Sequence, residues 1–252
     1  MYFETHAHYY DNRFKNDFDE VIKMIEKSGV HTVINASADM KSSKQNVKLV
    51  EKHELFYCGI GVHPHNADDL VESDVNVLRE LSKHKKVIAI GEIGLDFHYN
   101  HSPQDIQRYW FKKQLQLANE LDLPVIIHSR EADQECFDIV KDADIQRKGV
   151  IHCFAGSKEL AKEYVKLGYK LGIGGVVTYA NARKVVETVR EVGIESILLE
   201  TDCPYLTPVP NRGKRNDSSN LKYICEEIAN IKNMSHEEVA KVTSNNAVDI
   251  FF

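Results

Sequence analysis

Cysteine is sparse and odd in number in this sequence: five are scattered through 252 residues, with no C-x-x-C among them. Cys58, Cys136, Cys153, Cys203 and Cys225 therefore suggest neither a disulfide framework nor a thiolate zinc site. An excess of positive charge is also missing. Lys plus Arg number 32 against 38 Asp plus Glu, a formal net charge of −6. Bulk electrostatics do not draw such a chain onto nucleic acid or anionic membrane, so any polyanion site must be a local basic patch. No apolar run approaches a membrane span. The opening Met1-Tyr-Phe-Glu-Thr-His lacks a charged n-region followed by an apolar h-region. The expected compartment is the cytoplasm, with no membrane partner. There is no G-x-S-x-G and no Walker A loop, and Gly172-Ile-Gly174-Gly175 lacks the rest of a dinucleotide fingerprint.

What is present is a regular alternation. Short apolar or β-branched runs read as buried strands, near Tyr2–His8, His31–Ser37, Phe56–His63, Val87–Glu92, Val125–His128, Val150–Cys153, Tyr169–Gly174 and Ile197–Asp202. A charged stretch of helical periodicity follows each. Ser102-Pro103 reads as an N-cap before a first-turn proline. Ser235-His-Glu-Glu238 has capping-box spacing, with Met234 and Val239 placed for a staple. Gly29 and Gly168 fall where helices end. Eight strand–helix units in a chain of this length predict a single-domain α/β protein, a (β/α)8 TIM barrel over residues 1–252, with an open doubly wound sheet as the alternative.

The chemistry-bearing residues fall at the ends of the strand runs. His6 and His8 end the first, His63 the third with His65 just beyond, Glu92 the fourth, His128 the fifth, His152 the sixth and Asp202 the eighth. In a barrel these positions share the C-terminal rim, where barrel enzymes place their active sites. Residues i and i+2 of a strand face the same way, so His6 and His8 can reach one ion. A carboxylate closing a fully apolar strand needs a partner or a metal. Four imidazoles and two carboxylates, His6, His8, Glu92, His128, His152 and Asp202, suffice for two divalent ions. The imidazole-rich set suits Zn²⁺ or Mn²⁺ better than Mg²⁺.

Seven segments, in this order, resemble the TatD-type DNase family of metal-dependent hydrolases. They are Glu4-Thr-His6-Ala-His8, Gly61-Val-His63-Pro-His65, Gly91-Glu92-Ile-Gly-Leu-Asp96, Pro124-Val-Ile-Ile-His128-Ser-Arg130, His152-Cys-Phe-Ala-Gly156, Glu200-Thr-Asp202-Cys-Pro-Tyr-Leu206 and Arg212-Gly-Lys-Arg-Asn216. The resemblance implies a distorted TIM barrel of the metallo-dependent hydrolase type. It further implies that His6, His8 and Asp202 hold one metal, that His128 and His152 hold the other, and that Glu92 bridges them. His63, His65 and Arg130 would then lie near a substrate phosphate. The family activity is metal-dependent nuclease action, often as a 3′-to-5′ exonuclease on single strands. Two departures stand out: Glu4 replaces the usual Asp before the first Thr-His, and Asp217-Ser218-Ser219-Asn220 replaces the usual Glu-Pro continuation.

These readings predict a phosphodiesterase, a single-stranded deoxyribonuclease acting as a monomer, with Glu92 and Asp202 as catalytic carboxylates. Arg130 suits a phosphate oxygen pair. Arg212, Lys214 and Arg215 form a basic run able to hold a nucleic-acid backbone, and Phe97, Tyr99, Tyr179 and Tyr205 offer stacking surfaces. Two other readings compete: an amidohydrolase-type enzyme cleaving a C–N or ester bond on the same scaffold, and a metal-bound nucleic-acid-binding protein without turnover.

Overall fold

The computed structural model describes every residue, Met1–Phe252. Its strands are β1 Tyr2–Ala7, β2 Val30–Ala36, β3 Phe56–Ile60, β4 Val87–Asp96, β5 Val125–Arg130, β6 Val150–Ile151, β7 Lys170–Ile173 and β8 Ile197–Leu199. The helices are α1 Phe18–Lys27, α2 Met40–Lys52, α3 Glu72–Leu81, α4 Gln104–Leu121, α5 Asp133–Asp142, α6 Lys158–Lys166, α7 Arg183–Glu191, α8 Leu221–Lys232 and α9 His236–Phe251. All eight strands belong to one sheet in the order β1 to β8. This is the α/β barrel architecture, and the doubly wound alternative is excluded by the unpermuted order. Contacts along the chain fall into two compact units, Met1–Asn35 with Cys153–Asp249, and Ala36–His152 with Ile250–Phe252. No helix is long and apolar enough to cross a membrane. No disulfide joins the five cysteines.

In the first unit β1 runs parallel to β2, and β7 to β8. An isolated parallel bridge from Ala7 to Cys203 ties β1 to the segment after β8. The helices bury one stripe each: Val21, Ile22 and Ile25 on α1, and Val185, Thr188 and Val189 on α7, as amphipathic spacing requires. Gly29 and Gly168 end α1 and α6 with φ of +88° and +91°, the left-handed region that glycine enters without strain. The capping box before α9 forms as read, with Ser235 N–H donating to Glu238 Oε2 at 3.0 Å and Glu238 N–H to Ser235 Oγ at 3.2 Å.

In the second unit β3, β4, β5 and β6 are parallel neighbours. β4 is buried along its whole length and shifts register against β5 between Ile90 and Ile93. A Cβ on Gly94 (φ +148°) would lie 1.9 Å from His128 O, so only glycine lets β4 approach β5 there. The Lys86 ammonium donates to the carbonyls of Val50 and His53 at 3.0 and 2.9 Å, satisfying acceptors that the end of α2 leaves open.

Strand ends differ from the sequence reading. β4 and β5 continue past Glu92 and His128 to Asp96 and Arg130, because parallel pairing of Ile93–Asp96 with Ile127–Arg130 persists through polar residues. Conversely, β3, β6 and β8 stop short of His63, His152 and Asp202, which occupy the following loops. Ser102 is not an N-cap. Pro103 precedes α4, and the buried Ser102 hydroxyl donates instead to Asp68 Oδ1 at 2.7 Å.

Candidate metal and substrate site

The first unit gathers three of the expected ligands. His6 lies in β1 and His8 one residue beyond it, and their Nε2 atoms are 3.1 Å apart. Asp202 Oδ1 is 3.1 Å from His8 Nε2 and 3.8 Å from His6 Nε2. The backbone fixes this meeting: Asp202 N–H donates to His6 O, and His8 N–H to Cys203 O, at 3.0 and 2.8 Å. Asp202 takes a left-handed φ of +57°, which turns the chain sharply after β8.

Beneath these residues lies Glu4, completely buried. Its Oε1 accepts from Thr201 N–H (2.8 Å) and His6 N–H (3.2 Å), and its Oε2 from the Thr201 hydroxyl (2.6 Å). Burial pushes its carboxyl up to about 8, against hydrogen bonds from Thr201, Ser218 and His6. Glu4 thus holds the His6 backbone, not its ring. Ser218 also pairs with the Tyr9 hydroxyl at 2.8 Å, so Glu4 and the 217–220 segment meet in one buried network. Asn216 completes the scaffold, donating to the carbonyls of Thr201 and Tyr205 at 2.9 and 2.6 Å.

The second unit gathers the others around Glu92. Its Oε1 is 2.9 Å from His128 Nδ1, 3.5 Å from His63 Nε2 and 3.7 Å from His152 Nε2. The ligand atoms of His63, Glu92 and His128 all lie within 4.8 Å of one another. Asp96, at the end of β4, is a member that sequence reasoning missed. Its Oδ2 lies 2.8 Å from His65 Nε2 and 3.2 Å from His128 Nε2. The available signal was its place in the Gly91–Asp96 segment, four residues after Glu92.

The electrostatics suit a cation. Burial pushes Asp96 up, but bonds from His128, the Tyr99 N–H and His65 outweigh it and hold the carboxyl far below the usual range. Burial likewise opposes protonation of His128, and the bonds to Asp96 and Glu92 overcome it and raise this imidazole. A ring with a carboxylate beside each nitrogen favours positive charge, so a divalent ion fits the donor set. His63 behaves oppositely. Burial, with the charges of His128 and His65, lowers it well below its ordinary value despite Glu92. Its Nδ1 accepts from His65 N–H at 3.1 Å, which leaves Nε2 as the protonated, donating nitrogen.

The basic residues divide. Arg215 makes a bidentate pair with Asp17, at 2.8 and 2.6 Å, and its guanidinium covers Phe14. Arg212 stacks over Tyr179 at 4.2 Å and Arg130 over Tyr99 at 4.7 Å. Lys214 is exposed. Tyr205 is covered by Arg13, and Phe97 by Arg108.

Residues 3–252 match the family model described as TatD related DNase. The chain belongs to the TatD-related DNase family. It is 42% identical over its full length to 99% of YabD from Bacillus subtilis, named an uncharacterized metal-dependent hydrolase. MJ1582 from Methanocaldococcus jannaschii, named likewise, is 35% identical over 99% of this chain and 96% of its own. The crystal structure of YjjV, a TatD homolog from Escherichia coli, superposes with a TM-score of 0.94 at 29% identity, covering 99% of this chain and 97% of that one. TatD membership accounts for the eight-stranded barrel and for buried His, Glu and Asp clusters at the strand ends.

Proposed function

We propose that this TatD protein is a two-metal phosphodiesterase, a deoxyribonuclease that shortens single-stranded DNA from the 3′ end, working as a cytoplasmic monomer and a single catalytic domain. The observation that supports the reading best is the composition of the two clusters. His6, His8 and Asp202 converge in one, and Glu92 meets His63, His128 and His152 in the other. A parallel barrel presents the C-terminal ends of its strands at one rim. The reading therefore assigns His6, His8 and Asp202 to one ion, His128 and His152 to a second, and Glu92 to both. When bound, Zn²⁺, Mn²⁺ or Mg²⁺ would supply an acidified water and neutralise charge on a phosphodiester.

The protein's own groups do the rest. Glu92 and Asp202 would help hold the ions, and Asp202 would also orient or deprotonate the attacking water. His63, whose Nδ1 accepts the His65 N–H, would donate from Nε2, beside Glu92, to a phosphate oxygen. Arg130 offers a planar fork of donors to the same group, and His65, braced by Asp96, stands beside it. Arg212 and Lys214 extend the cationic surface along the strand's backbone, with Arg215 as a brace on their loop.

The test is a time course on 5′-labelled single-stranded DNA. Metal-stripped protein, with Mg²⁺, Mn²⁺ or Zn²⁺ restored, runs beside Glu92→Ala. A ladder receding from the 3′ end, lost without metal and in the variant, is expected. Metal-loaded protein that leaves DNA intact but turns over an amide or carboxylic ester would overturn the reading in favour of amidohydrolase chemistry. Binding without any turnover would favour the non-enzymatic alternative.

A further inference from the structure

Asp96 braces more than two imidazoles. While Oδ2 faces His65 and His128, Oδ1 accepts the backbone N–H groups of His98 and Tyr99 at 3.1 and 2.9 Å. The loop after β4 is fixed at its far end as well. Gln107 Nε2 donates to Ser102 O (2.8 Å) and Asp96 O (3.1 Å), and Ser102 Oγ lies 3.1 Å from His65 O. Residues 97–102 are thus positioned by the same carboxylate that positions His65 and His128.

On this loop the rings of Tyr99 and His101 stack in parallel, with centroids 5.4 Å apart and planes 4° apart. His65 meets both edge-on, at 5.4 and 4.7 Å. Tyr99 is 50% exposed and His101 is exposed, so core packing does not explain the pair. The Arg130 guanidinium lies over Tyr99. A guanidinium resting on a ring can still offer N–H groups to a phosphate.

We propose that Tyr99 and His101 form a nucleobase platform, on which one unpaired base of the substrate stacks while His65 and Arg130 meet its phosphate. The inference rests on the phosphodiesterase reading for the identity of the phosphate. Stacking on such a surface tolerates any base but requires a free base face, which a duplex covers. The platform would therefore select single strands beside the chemistry.

Fluorescence anisotropy with 5′-fluorescein, phosphorothioate-linked dT decamers tests this on the metal-loaded protein. A single abasic residue is walked inward from the 3′ end. The native protein should lose about tenfold in affinity at one abasic position, the size expected of one stacked base. Tyr99→Leu/His101→Ala should bind every decamer at the abasic level. His101→Ala alone, outside the Asp96 hydrogen bonds, should show a smaller version of the same loss and guards against misfolding of the double variant. Native protein that is indifferent to every abasic position, or that fails to bind, overturns the platform. So does uniform weakening in the variants with discrimination intact. Discriminating binding without cleavage of an all-phosphate decamer under any metal would refute the phosphodiesterase and leave the platform standing. Cleavage without discrimination would do the reverse.

Discussion

Asp96 and Glu4 show how much of the site depends on side chains that hold no ligand themselves. Asp96 has a carboxylate oxygen within 3.2 Å of both His65 and His128, so it fixes the orientation and basicity of a proposed metal ligand. Partners of this kind are worth 10–100-fold in metal affinity. Asp96→Asn should weaken metal binding by about that factor, read by competition with a chromophoric chelator. Unchanged affinity would mean that His128 is held in place by Glu92 alone. Glu4 is different, since it accepts from backbone and hydroxyl groups of His6, Thr201 and Ser218. Glu4→Ala strands buried donors, and a loss of about 1–3 kcal/mol in urea unfolding is expected. Glu4→Gln keeps an acceptor for Thr201 N–H and should cost less than Ala. An Ala variant as stable as the native protein would show that water can replace the carboxyl.

At the scale of elements, the alternation of apolar runs with amphipathic stretches made all eight strands and their order legible, because burial on both faces leaves a run that little else produces. Boundaries were less legible where function and pairing part company. β4 and β5 continue through Glu92–Asp96 and His128–Arg130 because their backbones still pair, whatever the polarity of the side chains. Ser102 looked like a cap because Ser-Pro is a common helix entry, yet its hydroxyl is drawn to Asp68 by a contact 34 residues away. Gly94 tests the importance of the β4–β5 approach. With a Cβ 1.9 Å from His128 O and 2.8 Å from its carbonyl carbon, Gly94→Ala cannot be absorbed by a flexible side chain. It should destabilise by more than about 4 kcal/mol, the range reserved for core overpacking and backbone strain, or yield insoluble protein. Denaturant unfolding measures it, and a near-native midpoint would show that β5 can yield.

For the whole molecule, the meeting of His6, His8 and Asp202, and that of Glu92, His128 and His152, was legible because a barrel converts strand-end positions into neighbours. The Asp96 brace, the Glu4–Ser218–Tyr9 network and the Arg215–Asp17 pair were not legible, since each joins residues whose separation in sequence carries no periodic signal. The thiols give a global readout of the same burial. Burial pushes Cys58 and Cys225 up to about 12 and Cys203 higher still, and Cys136 is buried too, which leaves Cys153 as the one partly exposed thiol. An aromatic disulfide reagent at pH 8 should therefore titrate about one thiol in the native protein and all five in guanidinium. The sign of the pH effect follows. A thiol with a raised folded value keeps a proton that the unfolded chain releases above its ordinary value near 9. The stability contributed by these groups is whole below that pH and is lost as pH rises towards 12. Unfolding midpoints should fall over this interval, and Cys58→Ala should flatten the fall. Rapid modification of several thiols at pH 8 in folded protein would mean that the unit carrying each one opens far more often than its packing implies.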